Sequence, residues 1–273
     1  MRCVAVAFIF ILSACSNNKL KQGTIKLTTA KKEVNQTPAL KSDTVAYDDI
    51  SLDTRNDKCE DCNYVTINYP DIRKATHLKA KIDSIVWGDL DIAVDVNYTT
   101  FSDFRKTFDS YKKNFPAKID TSMDSGAIYA NHSIAIERQA PGLIVLNIED
   151  EMSGGIHPQS QVIFSNWNTA TDKAITLNDI FVKDYEDKLT AIAEKIFRKD
   201  AGLSAKAPLK DYTFENDEFA LNDNFRITNE GISFYYNTYE IRPYMFGTTD
   251  LLIPYSQIKH LLRPNTVVTQ YIK

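Results

Sequence analysis

The chain has 273 residues, 43% of them hydrophobic and 25% charged, which is enough for one or two domains with a real core. Lys and Arg number 32 against 36 Asp and Glu, a formal net charge of −4. That mildly acidic balance argues against nucleic acid as a partner, because phosphate recognition demands a basic patch.

Met1-Arg2 supplies a positive charge, residues 3–12 are an apolar run, and Leu12-Ser13-Ala14-Cys15 follows. This order reads as a lipoprotein signal peptide over 1–14 that ends in a lipobox, with Cys15 as the lipidation site. The run is shorter than the roughly twenty residues that span a bilayer. The expectation is therefore export and tethering by acyl chains of the palmitate kind, each methylene contributing about 0.8 kcal/mol of membrane binding. Ser16-Asn17-Asn18 carries no Asp after Cys15, so no inner-membrane retention is signalled. The expected location is the cell envelope, at the outer membrane or facing the periplasm in a Gram-negative cell.

Residues 15–58 are rich in Lys, Thr, Asn, Asp and Ser, and their composition predicts a lipidated, disordered tether. Cys59 and Cys62 then stand in Cys-Glu-Asp-Cys. In an oxidising envelope a short local disulfide is the expectation. Structural zinc would need two further ligands, and a thioredoxin-like site would need the motif to open a helix after a strand.

The folded part is expected from Cys59, as an N-terminal portion over 59–139 and a C-terminal portion over 140–273. Val65, Ile67 and Tyr69 alternate as in a strand that Pro70 closes. Ile72, Ala75, Leu78, Ile82 and Ile85 recur at helical spacing and predict a helix over about 71–87, with His77 off the apolar stripe. Phe101, Phe104, Phe108, Tyr111 and Phe115 predict a second helix, from an N-cap at Ser102 to a stop at Pro116. Strands are predicted over 126–139, 142–151 and 159–167, the first two joined by Ala140-Pro141-Gly142. Tyr185, Leu189, Ile192, Ile196 and Phe197 share a helical face that ends before Gly202. A loop over 203–217 leads to a hairpin at 225–236 with a Gly231-bearing turn, a short strand at 251–253 and a short helix at 255–262. Strands and helices segregated in runs predict an α+β fold, an antiparallel sheet with helices packed on it.

Catalytic signatures are sparse. His77, His132, His157 and His260 form no metal-ligand pair, and there is no Gly-x-Ser-x-Gly elbow. Glu149, Asp150 and Glu151 are adjacent, but alternation along a strand lets only Glu149 and Glu151 share a face. The expectation is no enzyme, no metal and no cofactor.

Gly154-Gly155-Ile156-His157-Pro158 is followed by Asn178-Asp179-Ile180-Phe181 and then by Gly231-Ile232-Ser233-Phe234-Tyr235-Tyr236. Asn237-Thr238-Tyr239-Glu240-Ile241-Arg242-Pro243-Tyr244 and Ile253-Pro254-Tyr255 complete the series. This ordered series resembles the extracytoplasmic domain family of the anti-sigma factor RsiV and the peptidoglycan deacetylase PdaC. The resemblance covers about 140–262 well, and 63–135 more loosely. It implies an α+β extracytoplasmic module that binds a lysozyme-type muramidase, in defence or in sensing. Sigma-factor release and deacetylation are not expected to carry over. No cytoplasmic sigma-binding segment is recognised, and no His-x-x-x-His zinc pair is present.

The candidate partner-binding residues are His157, Tyr235, Tyr239, Glu240, Arg242 and Tyr244. The two glycines before His157 and Pro158 after it would aim the imidazole, either at a partner or at a buried carbonyl or Glu240. Tyr and Arg are enriched at binding hot spots, and Tyr rings stack on sugars. Equally, a Tyr hydroxyl and a Glu can lock a loop onto a sheet. The alternatives to a lysozyme-type partner are a peptidoglycan-binding module and an envelope assembly protein without a soluble ligand.

Overall fold

A computed structural model of the chain describes residues 44–53, 55, 64–74, 76–88, 129–152 and 158–272. The strands among them are β1 (Tyr47–Asp53), β2 (Tyr64–Ile72), β3 (Tyr129–Ala140), β4 (Leu143–Met152), β5 (Gln159–Asn168), β6 (Lys173–Ala174), β7 (Phe225–Ile227), β8 (Gly231–Tyr236) and β9 (Thr249–Pro254). The α-helices are α1 (His77–Gly88), α2 (Leu177–Ile180), α3 (Glu186–Asp200) and α4 (Tyr255–Ile258). The signal peptide, Cys15, Cys59, Cys62, His157 and the aromatic stripe from Phe101 to Phe115 lie outside the described residues.

The fold is α+β. One sheet has the order β1-β2-β3-β4-β5-β6, and a second has the order β7-β8-β9. The larger sheet is mixed rather than wholly antiparallel, because β2 and β3 pair in parallel from Tyr64↔Tyr129 to Asn68↔Ser133. Parallel neighbours need a long crossover, and the chain between β2 and β3 supplies one that includes α1.

Three local expectations are corrected. Residues 47–53, inside the expected tether, form β1 and pair antiparallel with β2 from Tyr47↔Ile72 to Asp53↔Thr66. Ile50 and Leu52 alternate with polar residues, which is too little apolar surface to register in a composition dominated by Lys, Thr and Asp. Strand β2 does not stop at Pro70 but continues to Ile72. Its pairing with β3 ends at Asn68, so the missing amide of Pro70 costs no bond on that side. The helix then begins at His77 rather than near 71, and Ile72 belongs to the strand.

The start of α1 is set from far away in the chain. Asp172, in the turn between β5 and β6, accepts the His77 amide at 2.8 Å and the Leu78 amide at 3.2 Å. Thr76 Oγ1 accepts the Lys79 amide at 3.1 Å. These acceptors satisfy amides that a helix start leaves open. The His77 side chain is exposed, as its place off the apolar stripe predicts.

Strand β4 is buried on both faces from Leu143 to Leu146, so it divides two cores. On one face Ile144, Leu146 and Ile148 pack with Ile67, Ile134, Trp167 and the α1 residues Leu78, Ile82, Ile85 and Val86. Against the other, Leu143 and Val145 join Phe164, Leu189, Ala193 and Phe197 of α3, and the buried side chains of β7, β8 and β9. Helix α3 has Glu186 and Asp187 in its first turn and Arg198 and Lys199 in its last, each sign facing the favourable end of the helix dipole.

Candidate functional site

The small sheet sits beside the outer edge of β5, and asparagine side chains join the two where a backbone ladder would otherwise run. Asn166 on β5 donates to the Phe225 carbonyl and accepts the Ile227 amide, both at 2.8 Å. Asn224 accepts the Phe164 amide at 2.9 Å and donates to the Val162 carbonyl at 2.7 Å. Asn237 accepts the Val162 amide at 2.7 Å and donates to the same carbonyl at 3.0 Å. Thus backbone groups on the facing edges of β5 and β7 are satisfied without strand pairing.

Asn237 also opens the connection between β8 and β9, residues 237–248. This loop carries much of the exposed apolar surface among the described residues: Tyr239 is 60% exposed, Tyr244 39%, Met245 82% and Phe246 54%. The Tyr239 and Tyr244 rings lie 5.4 Å apart, tilted by 35°. Four large apolar side chains within eight residues is unusual for surface that meets only water.

The loop backbone is held rather than loose. Tyr239 has φ +70°, a left-handed conformation uncommon for a side-chain-bearing residue. Gly247 has φ 64° and ψ −151°, a region open to glycine alone. Glu240 accepts the Asn237 amide at 2.7 Å and the Asn222 side chain at 2.6 Å. Its carbonyl accepts the Thr213 hydroxyl at 2.9 Å, and buried Ile241 pins the loop to the core below.

The candidate residues among those described therefore separate into three sets. Tyr239 and Tyr244 are on the outer surface, and they meet. Glu240 and Arg242 lie in the same loop but face its own framework. Arg242 donates to Thr249 Oγ1 at 2.7 Å and to the Thr248 carbonyl at 3.4 Å, and its guanidinium carbon lies 5.7 Å from the centre of the Phe246 ring. Tyr235 is apart from them, half-buried on β8 with its ring edge-on to Phe164 at 5.6 Å.

Met245 and Phe246 were missed by sequence reasoning, although both are adjacent to Tyr244. Apolar residues predict burial by default, and only the closed turn at Pro243–Gly247 turns them outward. The three asparagines were missed as well, since an Asn in or beside a strand carries no mark of a partner about 60–75 residues away.

The histidine and carboxylates of β3 and β4 make a second polar cluster. His132 is 2% exposed and its Nδ1 bonds to the Asp150 carboxylate. Its Nε2 is buried and has no hydrogen-bond partner among the described residues. Glu151, on the opposite face of the sheet, accepts the Tyr129 hydroxyl and the Asn131 amide, each at 3.1 Å. Glu149 accepts Asn147 at 2.7 Å. Each carboxylate thus serves its own neighbour, and no two of them face each other across a cleft as glycoside hydrolysis requires. Among the described residues no group of three or more His, Cys, Asp or Glu side chains is placed to hold a metal.

The family model described as a protein of unknown function, DUF3298, matches residues 178–256, the span that contains α3, the small sheet and the exposed loop. The chain is 26% identical over 139 residues to the immunogenic protein MPT64 of Mycobacterium tuberculosis, a match covering 49% of this chain and 57% of that protein. It is 27% identical over 144 residues to Esterase Rv3036c of the same organism, covering 52% of this chain and 61% of the other. The chain therefore spans about three fifths of the length of these curated relatives. Among solved structures, a DUF3298 family member from Bacteroides fragilis superposes with a TM-score of 0.63 at 22% identity, covering 84% of this chain and 97% of that one. A DUF3298 family protein from Pseudomonas aeruginosa gives 0.64 at 17% identity, covering 82% and 97%. The fold is shared with both, and the match to the family of unknown function DUF3298 lies at residues 178–256.

Proposed function

We propose that this chain is a lipid-anchored, non-catalytic binding module of the cell envelope whose recognition surface is the 237–248 loop. The proposed partner is a lysozyme-type muramidase, bound in defence or in sensing. The observation that carries the reading is the exposure of Tyr239, Tyr244, Met245 and Phe246 on a loop whose backbone is fastened from within. Exposed aromatic anchors on a rigid support have the composition of a protein-binding hot spot. The resemblance of residues 140–262 to the RsiV and PdaC extracytoplasmic domain supplies the partner class. The lipobox at Leu12-Ser13-Ala14-Cys15 supplies the anchor. Among the described residues no helix is long and apolar enough to cross a membrane.

Calorimetric titration of the purified chain with a c-type lysozyme, beside a muramidase assay, tests this reading. Saturable binding with inhibition supports a neutralising role, and binding without inhibition supports a sensor. No binding at high micromolar concentration overturns the lysozyme partner. The tilted Tyr239–Tyr244 pair favours one second reading, a glycan-binding module, because paired aromatic faces suit sugar rings. Co-sedimentation with purified sacculi that is insensitive to salt would select it, whereas binding to a basic lysozyme should weaken as salt rises. One relative is named an esterase, so turnover of a short-chain p-nitrophenyl ester would overturn the non-catalytic part of the proposal.

A further inference from the structure

We infer that Asn237 is the positioning residue of the exposed loop, fixing Tyr239, Tyr244, Met245 and Phe246 against the edge of β5 so that a partner meets a surface already formed. The part of this inference that concerns a partner rests on the reading above. Asn237 stands at the end of β8, where the chain leaves the small sheet. Its side-chain amide engages both backbone groups of Val162, 75 residues earlier in the chain. Its own backbone amide donates to Glu240 at 2.7 Å, and its carbonyl accepts the Glu240 amide at 3.1 Å. Glu240 in turn reaches Asn222, whose side chain also holds the Tyr235 carbonyl at 2.7 Å. Both closures between the two ends of the 237–240 turn therefore meet at Asn237, which is referenced to the large sheet, while Thr213 holds the Glu240 and Ile241 carbonyls from outside the loop.

The strained position in this circuit is Tyr239, at φ +70° between Asn237 and Glu240. A side-chain-bearing residue stays left-handed only where its surroundings over-determine it. Here the surroundings are the two Asn237–Glu240 bonds, the Val162 clip and the Thr213 hydroxyl on the Glu240 carbonyl. Releasing Asn237 from Val162 should let Tyr239 relax toward negative φ and disperse the aromatic cluster. A loop ordered in advance loses less conformational freedom on binding, which strengthens association without adding a contact.

Hydrogen exchange on the full chain tests this without any partner. Asn237→Ala should speed exchange of the Glu240 amide about tenfold or more, while the amides of β4 shift only by the common change in global stability. Asn166→Ala cuts the same seam further from the loop and serves as the comparison. It should lower protection across both sheets without singling out the loop. Unchanged loop exchange in Asn237→Ala, or an equal rise in both variants, overturns the inference. Should Asn237→Ala fail to fold, Asn237→Asp keeps an acceptor for the Val162 amide and lacks the donor to its carbonyl. Faster loop exchange than in the wild type is then expected, and wild-type exchange overturns the inference.

A second arm uses c-type lysozyme as the probe. Asn237→Ala should weaken binding about tenfold, mostly through faster dissociation, while folded Asn166→Ala binds as the wild type does. Equal binding by the wild type and both variants overturns the positioning role. Failure of the wild-type chain to bind overturns the partner reading instead, and the exchange measurements then decide the positioning role alone.

Discussion

Asn166 and Ile227 are joined as neighbouring strand residues would be, although one side of the link is a side chain. The Asn166 carboxamide accepts the Ile227 amide at 2.8 Å and donates to Phe225 two residues earlier. Both Asn166 and Ile227 are buried, so no water can replace these bonds. Asn166→Ala should destabilise the fold by about 3 kcal/mol, since a buried amide and a buried carbonyl each lose their partner. Asn166→Asp keeps the acceptor but sets a buried carboxylate against the Phe225 carbonyl, and should cost at least as much. Urea denaturation of the three proteins checks that both variants fall below the wild type, Asp no less than Ala.

Asp172 should make α1 sensitive to acid. Burial pushes its carboxyl pKa up, but the His77 and Leu78 amides, the Trp167 indole and the neighbouring His77 together hold it below the ordinary carboxylate value. A lowered folded pKa adds stability that is present above the unfolded value of about 3.9. That stability is lost as pH falls through the folded value. Asp172→Asn tolerates the left-handed backbone (φ 52°) and keeps one acceptor, and it should cost about 1 kcal/mol at neutral pH. Below about pH 4 the difference between variant and wild type should shrink. Equal losses at pH 7 and pH 3, read from thermal melts, would remove the cap from this account.

Gly231 is where β8 begins, and a Cβ built there would lie 2.1 Å from the Ile253 carbonyl oxygen and 2.9 Å from the Pro254 Cα. Both obstacles are backbone of the paired strand β9, so neither can rotate away. Gly231→Ala should therefore destabilise the small sheet by at least about 2 kcal/mol. Gly247→Ala provides the contrast, because its Cβ would have open space and only the φ of +64° is at fault. Its cost of about 1–3 kcal/mol should fall on the loop more than on the global unfolding midpoint.

Tyr239→Ala and Tyr244→Ala should leave global stability within about 0.5 kcal/mol of wild type, because both side chains already face solvent. Each should weaken the partner at least about tenfold, or 1.4 kcal/mol, if the loop is the contact surface. Unchanged affinity in variants that melt normally would move the contact surface elsewhere.

Glu240 and Arg242 show how far the residue types of the loop could be read, and where that reading stopped. The cluster of Tyr, Glu and Arg between two strands was legible as a special loop, because such residues seldom gather without a structural or binding task. Which of them face outward was not legible. Glu240 is tied to Asn222 and Asn237, and Arg242 to Thr248 and Thr249, so both help to hold the loop. Met245 and Phe246 are carried outward by the turn at Pro243–Gly247, a property of backbone path rather than residue type.

The sequence by itself determined the elements whose signal is local. The alternation of Ile144, Leu146 and Ile148 marked β4, the stripe from Tyr185 to Phe197 marked α3, and the Gly231 turn marked the β7–β8 hairpin. Periodicity records which face of an element is buried, and that record is written in the element's own residues. Only the tertiary structure decided what each element is buried against. It recruited β1 from a stretch whose composition read as a tether, set β2 parallel to β3, and placed Asp172 at the start of a helix about 95 residues away. It also turned three asparagines into the seam between the two sheets. Those choices rest on hydrogen bonds between groups far apart in the chain, for which an Asn or Asp looks the same whether it faces water or a strand edge.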